Sequence, residues 1–154
     1  MIFSFASLGF SEDFKTLNGK EYKDANVTVT AFPVKHGSWD QAFGYRFETA
    51  DRSIVISGDT APTESIVQNC HGCDVLIHEA YTEGGTPAGK EFEAWQKYRR
   101  AFHTSTAELA EIATRAKPRL LILYHGGPSA DKRLDEVKQH YTGEVVAARD
   151  LEVY

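Results

Sequence analysis

Short apolar runs, each ended by polar or turn-forming residues, recur along this chain and predict a series of strands. Residues 26–34 alternate valine and alanine with threonine and phenylalanine, and a period of two is typical of a strand. Further runs of this kind predict strands at 43–48, 53–57, 74–78, 119–124 and 144–148. Because only the polar residues 49–52 separate two of these runs, they predict a β-hairpin over 43–57.

Three segments have the longer period of an amphipathic helix. They are 62–69, 105–117 and 130–140. In the second, Leu109 and Ile112 lie on a predicted apolar face and Pro118 follows the end of the helix. Thr63 is a possible N-cap for the first helix, without a complete capping box. Strands that alternate with helices in this way predict an α/β fold, with a sheet covered by helices on at least one face.

The remaining segments show no regular period and are predicted to be irregular. Residues 1–12 are apolar, 13–25 are polar and rich in turn formers, and 81–102 begin with glycines and continue with aromatic and basic residues. A loop as long as 81–102 in a compact domain is usually functional. Its Trp95 and Tyr98 are therefore interpreted as part of a lid over a site.

Composition narrows the class of protein without changing this picture. The 154 residues predict a single domain, 1–154, and a net charge of −5 argues against a general nucleic-acid binder. No run approaches the roughly 18 apolar residues of a transmembrane helix, and the amino terminus lacks the basic region of a signal peptide. The compartment stays open, with the cytoplasm slightly favoured and no membrane expected.

The candidate chemistry lies where the predicted strands end. His36, Asp59, His78 and His125 each follow or end an apolar run, and His103 opens the 105–117 helix. Residues just beyond the carboxyl ends of strands line the ligand crevice of α/β sheets. Imidazoles with a carboxylate are a donor set that suits zinc. A carboxylate buried at a strand tip also needs a partner, either a metal or the backbone donors of a turn.

Ordinary structural interpretations remain open for each of these residues. A single histidine at a strand end is more often a hydrogen-bonded structural residue than a ligand, and Asp59 before a threonine also suits an Asx-turn. From the residues alone, a metal or catalytic site has about even odds. His71 and His140 are predicted to lie on the surface. Cys70 and Cys73 have no second pair of ligands at a suitable spacing, so packing is favoured over metal or redox chemistry.

Five segments taken together resemble the metallo-β-lactamase superfamily, in its ribonuclease Z-like and arylsulfatase-like branch. They are FPVKHGSWDQAFGYRF at 32–47, IVISGDTAP at 54–62, GCDVLIHEAY at 72–81, FHTSTAELAEIA at 102–113 and RLLILYHGG at 119–127. The resemblance covers about 120 residues in the family's order. It implies the second half of an αββα sandwich, a mixed sheet with helices on one face.

The resemblance also implies roles for the residues at the strand ends. His36 matches a ligand of the first metal, Asp59 the carboxylate that bridges two metals, and His125 a ligand of the second metal. His103 resembles the histidine that donates a proton to the leaving group, so His103 and Asp59 are the implied catalytic residues. His78 and Glu79 match an element that supports the site from behind the ligands. The implied cofactor is zinc or another divalent metal, two per intact site.

The family's first motif, H-x-H-x-D-H, is absent from the sequence, and the resemblance implies that the N-terminal half of the fold that carries it is absent too. This chain is therefore expected to hold metal poorly, and whether it is an enzyme stays open. The expected function is that of a fragment or split half of a binuclear metal-dependent hydrolase. Its expected substrate is a small ester, phosphate or sulfate ester, or lactone.

The alternative is a non-catalytic binding or dimerisation module derived from the same fold. Transfer RNA is disfavoured because members that process it carry a long insertion where residues 47–54 form a plain hairpin. The expected partners are a second copy of the chain or a separate N-terminal half. The predicted strands are apolar on both faces, and the predicted helices can cover only one face of the sheet. The other face is therefore expected to need a partner.

Overall fold

A single twisted sheet organises the residues that the computed structural model describes, which are 21–83, 90–125 and 130–154. Its seven strands lie side by side in chain order. They are β1 (Glu21–Lys23), β2 (Thr28–Pro33), β3 (Phe43–Glu48), β4 (Ser53–Ile56), β5 (Val75–Glu79), β6 (Leu120–Tyr124) and β7 (Val145–Ala147). The first four pair antiparallel and the last four pair parallel, so the predicted mixed α/β sheet is confirmed.

Four helices belong to the described part of the chain. They are α1 (Glu64–Cys70), α2 (Lys90–Phe102), α3 (Thr106–Ala116) and α4 (Ala130–Lys138). The start of α3 is well defined, because Ser105 and Glu108 form a reciprocal capping box. At α1, Thr63 is the N-cap residue but its side chain makes no capping hydrogen bond. None of the helices in the described residues is long and apolar enough to cross a membrane.

One face of the sheet packs on α1, α3 and α4 and forms the core. Alternate residues of the parallel strands point to this face and are nearly inaccessible, as are Leu109 and Ala113 of α3. The strand residues are Val55, Leu76, Leu121, Leu123 and Val145. Arg46 also lies on this face, where its guanidinium donates to the carbonyls of Asn69 and Cys70 at the end of α1. The helices therefore cover one face, as the sequence predicted.

The opposite face of the sheet carries a second apolar surface, which we call the open face. Ten of the apolar side chains that the register places on it are Tyr45, Phe47, Ile54, Ile56, Val75, Ile77, Leu120, Ile122, Tyr124 and Val146. Within the described residues, none of these ten belongs to the core cluster between the sheet and the helices. Parallel strands are normally covered on both faces, so the open face is the side on which a second layer would pack.

Two segments differ from the prediction. Residues 13–25 were expected to be irregular, but Glu21–Lys23 forms the edge strand β1, which pairs with β2. Its turn is fixed by the Asp24 carboxylate, which accepts the backbone N–H groups of Asn26 and Val27. Residues 81–102 were also expected to be irregular, but their second part is the 13-residue helix α2. The predictions for residues 1–12 and for 13–20 lie outside the described residues.

The two cysteines form a disulfide between the end of α1 and the turn before β5. Both Cys70 and Cys73 are buried in the core beneath α1. His71 lies between them in the left-handed region, where it ends the helix, and its side chain is exposed as predicted. The sequence analysis favoured packing for the two cysteines and did not predict this covalent cross-link.

Candidate functional site

The predicted site residues gather at one edge of the sheet, where β4, β5 and β6 end. These strands run parallel, so the residues that follow them emerge on the same side. Asp59 follows β4, Glu79 ends β5, and His125 follows β6. The junction between α2 and α3 is held against this edge by two backbone hydrogen bonds, one in each direction, between Tyr81 and residues 104 and 106. That junction brings His103 to the site.

Asp59, His103 and His125 form a group that can hold a metal ion. Each offers one ligand atom, and these atoms all lie within 4.8 Å of one another. The Asp59 carboxylate and Nε2 of His125 are 3.4 Å apart. One carboxylate with two imidazoles suits zinc, whose catalytic sites in proteins use three such ligands. We call this set the Asp59 group.

Asp59 differs from the buried carboxylate that the sequence predicted. Its side chain is 37% exposed, and the contact that the structure shows for it is with the His125 ring, itself 47% exposed. No hydrogen bond from a backbone donor to this carboxylate is found in the described residues. The Asx-turn interpretation therefore receives no support, and the carboxylate remains open to a ligand from the solvent side.

Glu79 is the buried carboxylate of the site. Its side chain is 2% exposed, and its Oε1 accepts the backbone N–H of Thr60 at 3.0 Å and Nδ1–H of His103 at 3.0 Å. Burial raises the pKa of the Glu79 carboxyl, against the lowering effect of the His103 hydrogen bond. Glu79 therefore orients His103 from behind, a geometry that fixes the tautomer of metal-binding or proton-donating histidines.

His103 presents its other nitrogen to the Asp59 group. Because Nδ1 carries the proton given to Glu79, Nε2 is the atom that faces a ligand or a substrate. The hydrogen bond that His103 donates to Glu79 raises the pKa of His103 above its usual value, although partial burial opposes the shift. The residue can therefore act as a ligand or as a proton donor, and the predicted proton-donor role stays a prediction.

His36 lies beside the Asp59 group without entering it. Its ring centre is 5.5 Å from that of His103, and its Nδ1–H donates to the carbonyl of Phe102 at 2.8 Å. That hydrogen bond leaves Nε2 free, as a metal ligand requires. The metal-ligand roles of His36, Asp59 and His125 stay predictions.

Two threonines that the sequence reasoning missed connect the loops of the site. Thr60 and Thr104 are fully buried. The Thr104 hydroxyl donates to the Thr60 carbonyl at 2.7 Å, and the Thr60 hydroxyl accepts the Lys35 N–H at 3.2 Å. Both threonines directly follow a site residue, in Asp59-Thr60 and His103-Thr104, and that adjacency is the signal that could have found them.

His78 lies beneath the site and is fully buried. Its Nδ1–H donates to the Glu79 carbonyl at 2.7 Å, while Nε2 has no hydrogen-bond partner among the described residues. Burial lowers the pKa of His78 to about 4, from an ordinary value of 6.5. The ring is therefore neutral at pH 7, and its position behind Glu79 is that of a supporting residue rather than a ligand.

We expect the pKa of His78 to make the folded chain less stable in mild acid. The folded-state pKa is depressed, so the unfolded chain binds the extra proton between pH 6.5 and about 4, and stability is lost as the pH falls through that window. From pH 7.5 to pH 5 the loss is about 2 kcal/mol. Urea unfolding in chelator should show this loss of stability. In His78→Gln, the loss between pH 7.5 and pH 5 should be smaller by about 2 kcal/mol. An equal pH dependence in His78→Gln and in the surface control His140→Gln would contradict the prediction.

The sequence of the chain matches a known protein family. Residues 10–126 match the family model described as the Beta-lactamase superfamily domain. A ribonuclease Z from Mycobacterium sp. (strain KMS) is 31% identical over 116 residues, which is 74% of this chain and 39% of that protein. The chain therefore spans well under two thirds of the length of this relative.

Solved structures share the fold. The metallo-β-lactamase fold protein YhfI from Bacillus subtilis matches with a TM-score of 0.71 and 20% identity, over 88% of this chain and 52% of that one. Human tRNase Z, short form, matches with a TM-score of 0.57 and 23% identity, over 86% of this chain and 44% of that one. With the family match over most of its length, the chain belongs to the metallo-β-lactamase superfamily, in its ribonuclease Z-like branch.

Proposed function

We propose that this chain supplies one half of the active site of a metal-dependent hydrolase that acts on a small ester, a phosphate or sulfate ester, or a lactone. The observation that carries the proposal is the convergence of Asp59, His103 and His125 at the ends of three different elements. A buried carboxylate behind His103 supports that arrangement. The family match supplies the reaction class, because the superfamily is metal-dependent.

The donor set fits a divalent metal. Asp59 and His125 would hold it directly, His36 would reach it from the neighbouring loop, and Glu79 would keep His103 oriented. When bound, the metal would provide hydroxide near neutral pH and polarise the scissile group. His103, with its raised pKa, would hold a proton at Nε2 for the leaving group.

The activity of the chain alone should be weak. The sequence lacks H-x-H-x-D-H, so two metals would share the few ligands available here. A catalytic zinc normally takes three protein ligands, whereas Asp59 and His125 supply two when His103 serves as the proton donor. We therefore propose that full activity needs the ligands of another half, and zinc is one candidate among divalent metals.

A test of the proposed function separates metal binding from folding. Asp59→Ala and His125→Ala should weaken Zn²⁺ binding at least ~10-fold, because each removes a ligand. In chelator the same variants should change the free energy of unfolding by less than about 1 kcal/mol, since the Asp59–His125 pair is partly exposed.

Calorimetric titration with Zn²⁺ and urea unfolding measure the two effects, with His140→Ala as a surface control. Hydrolysis of bis(para-nitrophenyl) phosphate and para-nitrophenyl sulfate, with and without Zn²⁺, then measures activity. Unchanged Zn²⁺ affinity in both site variants would contradict the proposed site.

We further propose that the open face binds either a second copy of the chain or a separate N-terminal half. The support is the row of ten apolar side chains outside the core cluster and the partial coverage of the relatives' length. The same surface supports the second candidate function, a non-catalytic dimerisation or binding module. Metal-dependent hydrolysis favours the first function, and association without metal binding favours the second.

The substrate proposed for this chain differs from that of the relatives. The relatives that match are named for a ribonuclease, and the hairpin at 47–54 confirms that no long insertion separates β3 from β4 here. The expectation that nucleic acid is not the partner stays a prediction, as does a small-molecule substrate.

A further inference from the structure

A cavity of about 720 Å³ opens directly beside His36. It lies between the loop that follows β2 and the last turn of α2, and it is lined among others by Lys35, Trp39, Arg100 and Phe102. The His36 ring forms part of its wall and is 5.5 Å from the His103 ring, centre to centre. The cavity therefore adjoins the Asp59 group.

The walls of the cavity are fixed by hydrogen bonds across the two elements. The Gly37 N–H donates to the Ala101 carbonyl at 2.9 Å, and His36 donates to the Phe102 carbonyl at 2.8 Å. Gly37 has φ +56°, and a Cβ there would lie 2.0 Å from the Phe102 ring. Only glycine allows the loop and the helix end to approach this closely, so the cavity is built into the fold.

The charge of the cavity is positive although the chain as a whole carries −5. Lys35 and Arg100 are the charged residues of its described lining, which contains no carboxylate. No ion pair found within the described residues uses Lys35 or Arg100. Two cations without acidic partners in a concave site favour an anionic ligand.

The cavity also offers a flat apolar surface. The Trp39 side chain is 60% exposed, and its indole lies 5.9 Å from the His36 ring at an interplanar angle of 62°. An exposed indole held beside cations is suited to stack on the ring of a ligand.

We propose that this cavity binds the ring and the charged group of an aryl or nucleoside ester of phosphate or sulfate. The ring stacks on Trp39, and the oxyanion interacts with Lys35 and Arg100 close to His36. The inference rests on the proposed function and narrows its substrate class, because a neutral lactone would use neither cation.

Fluorescence titration of metal-free protein in chelator tests the binding site without using activity. The chain has two tryptophans, so Trp95→Phe leaves Trp39 as the single reporter. Phenyl phosphate should quench Trp39 in a saturable way. Inorganic phosphate, which lacks the ring, and phenol, which lacks the charge, should bind at least ~10-fold more weakly. In Trp39→Phe, the remaining Trp95 should not respond.

The cations are tested in the same single-tryptophan background. Lys35→Ala and Arg100→Ala should each weaken phenyl phosphate binding about 5-fold, as loss of a partly exposed charge contact predicts. Lys97→Ala is the matched control, because it removes a positive charge from the same helix outside the cavity lining, and it should change affinity less than ~2-fold.

The same fluorescence titration with phenyl sulfate compares the affinity for a sulfate ester with that for a phosphate ester. Whichever ester binds more tightly identifies the ester class, and either order supports the proposal if binding needs the ring and both cations. Equal binding of inorganic phosphate and phenyl phosphate would overturn it, as would equal effects of Lys35→Ala, Arg100→Ala and Lys97→Ala. Phenyl phosphate binding together with unchanged Zn²⁺ affinity in Asp59→Ala and His125→Ala would contradict the proposed function alone. Loss of Zn²⁺ affinity in those variants without phenyl phosphate binding at Trp39 would contradict only this inference.

Discussion

We expect Glu79→Ala to lower the free energy of unfolding of the metal-free chain by about 3 kcal/mol. Glu79 accepts two hydrogen bonds with one buried oxygen, from the backbone of Thr60 and from His103. Removing the acceptor leaves the Thr60 N–H without its partner in a fully buried residue, and each unsatisfied buried donor costs about 1–3 kcal/mol. The lost side-chain volume adds to that cost.

Thermal and urea unfolding in chelator measure the effect. For a chain of this size, about 3 kcal/mol corresponds to a fall of roughly 6–12 °C in Tm. Glu111→Ala is the control, because it removes an exposed glutamate from α3 and should cost less than ~0.5 kcal/mol. Equal Tm values for Glu79→Ala and Glu111→Ala would show that the carboxylate does not hold the site together.

Glu79→Gln separates the charge of this residue from its shape. The amide oxygen can still accept the Thr60 N–H, so the loss of stability should be smaller than in Glu79→Ala. The hydrogen bond that His103 donates to Glu79 is the main cause of the raised pKa of His103. The pKa of His103, followed by NMR titration of its ring, should therefore fall in Glu79→Gln. An unchanged pKa would contradict the pairing of the two side chains.

The sequence predicts the central strands well because their signal is local. β4, β5 and β6 are apolar runs that end in a site residue or lie within three residues of one. A buried parallel strand of this kind can be recognised from its own residues alone. β1 was missed for the opposite reason. Its three residues are polar and exposed, and they form a strand only because β2 lies beside them.

The helix α2 was missed because its apolar face is narrow. Trp95, Tyr98 and Phe102 repeat at three and four residues and stack on one another, with ring centres 5.5 and 4.6 Å apart. Polar residues and glycines surround them in the sequence, so the segment resembles a loop more than a helix. The suggested lid role of Trp95 and Tyr98 stays a prediction.

The site could be predicted in outline only. The rule that residues after parallel strands share one edge was enough to select Asp59 and His125. It could not show that Glu79, rather than Asp59, is the buried carboxylate, because burial depends on how the loops close over each strand end. Nor could it pair Glu79 with His103, which is 24 residues away in the chain.

We expect the purified chain to associate through the open face. Ten apolar side chains lie on that face outside the core cluster, where Ile122 is 8% exposed and the other nine are partly buried. Parallel strands are normally covered on both faces. A homodimer packed sheet to sheet would bury roughly 2,000 Å² or more in total, the size of a stable interface. Light scattering at micromolar concentration should then give about twice the 17.2 kDa of one chain.

Lysine substitutions locate the interface. Ile56 and Ile77 are partners in the register of β4 and β5 at the centre of the open face. Ile56→Lys and Ile77→Lys should therefore shift the chain to a monomer, because a buried unpaired charge costs several kcal/mol. Val153→Lys is the control, since Val153 is 98% exposed and belongs to none of the seven strands.

Three outcomes distinguish what covers the open face. A dimer that Ile56→Lys and Ile77→Lys dissociate supports the second copy. A monomer that binds a hydrophobic dye strongly supports a separate N-terminal half, because the face then stays accessible in the absence of that half. A monomer that does not bind the dye contradicts both proposed partners, the second copy and the separate N-terminal half. In that case the two lysine variants should instead lower Tm without changing mass, since the chain itself would cover the face and the lysines would be buried within the monomer.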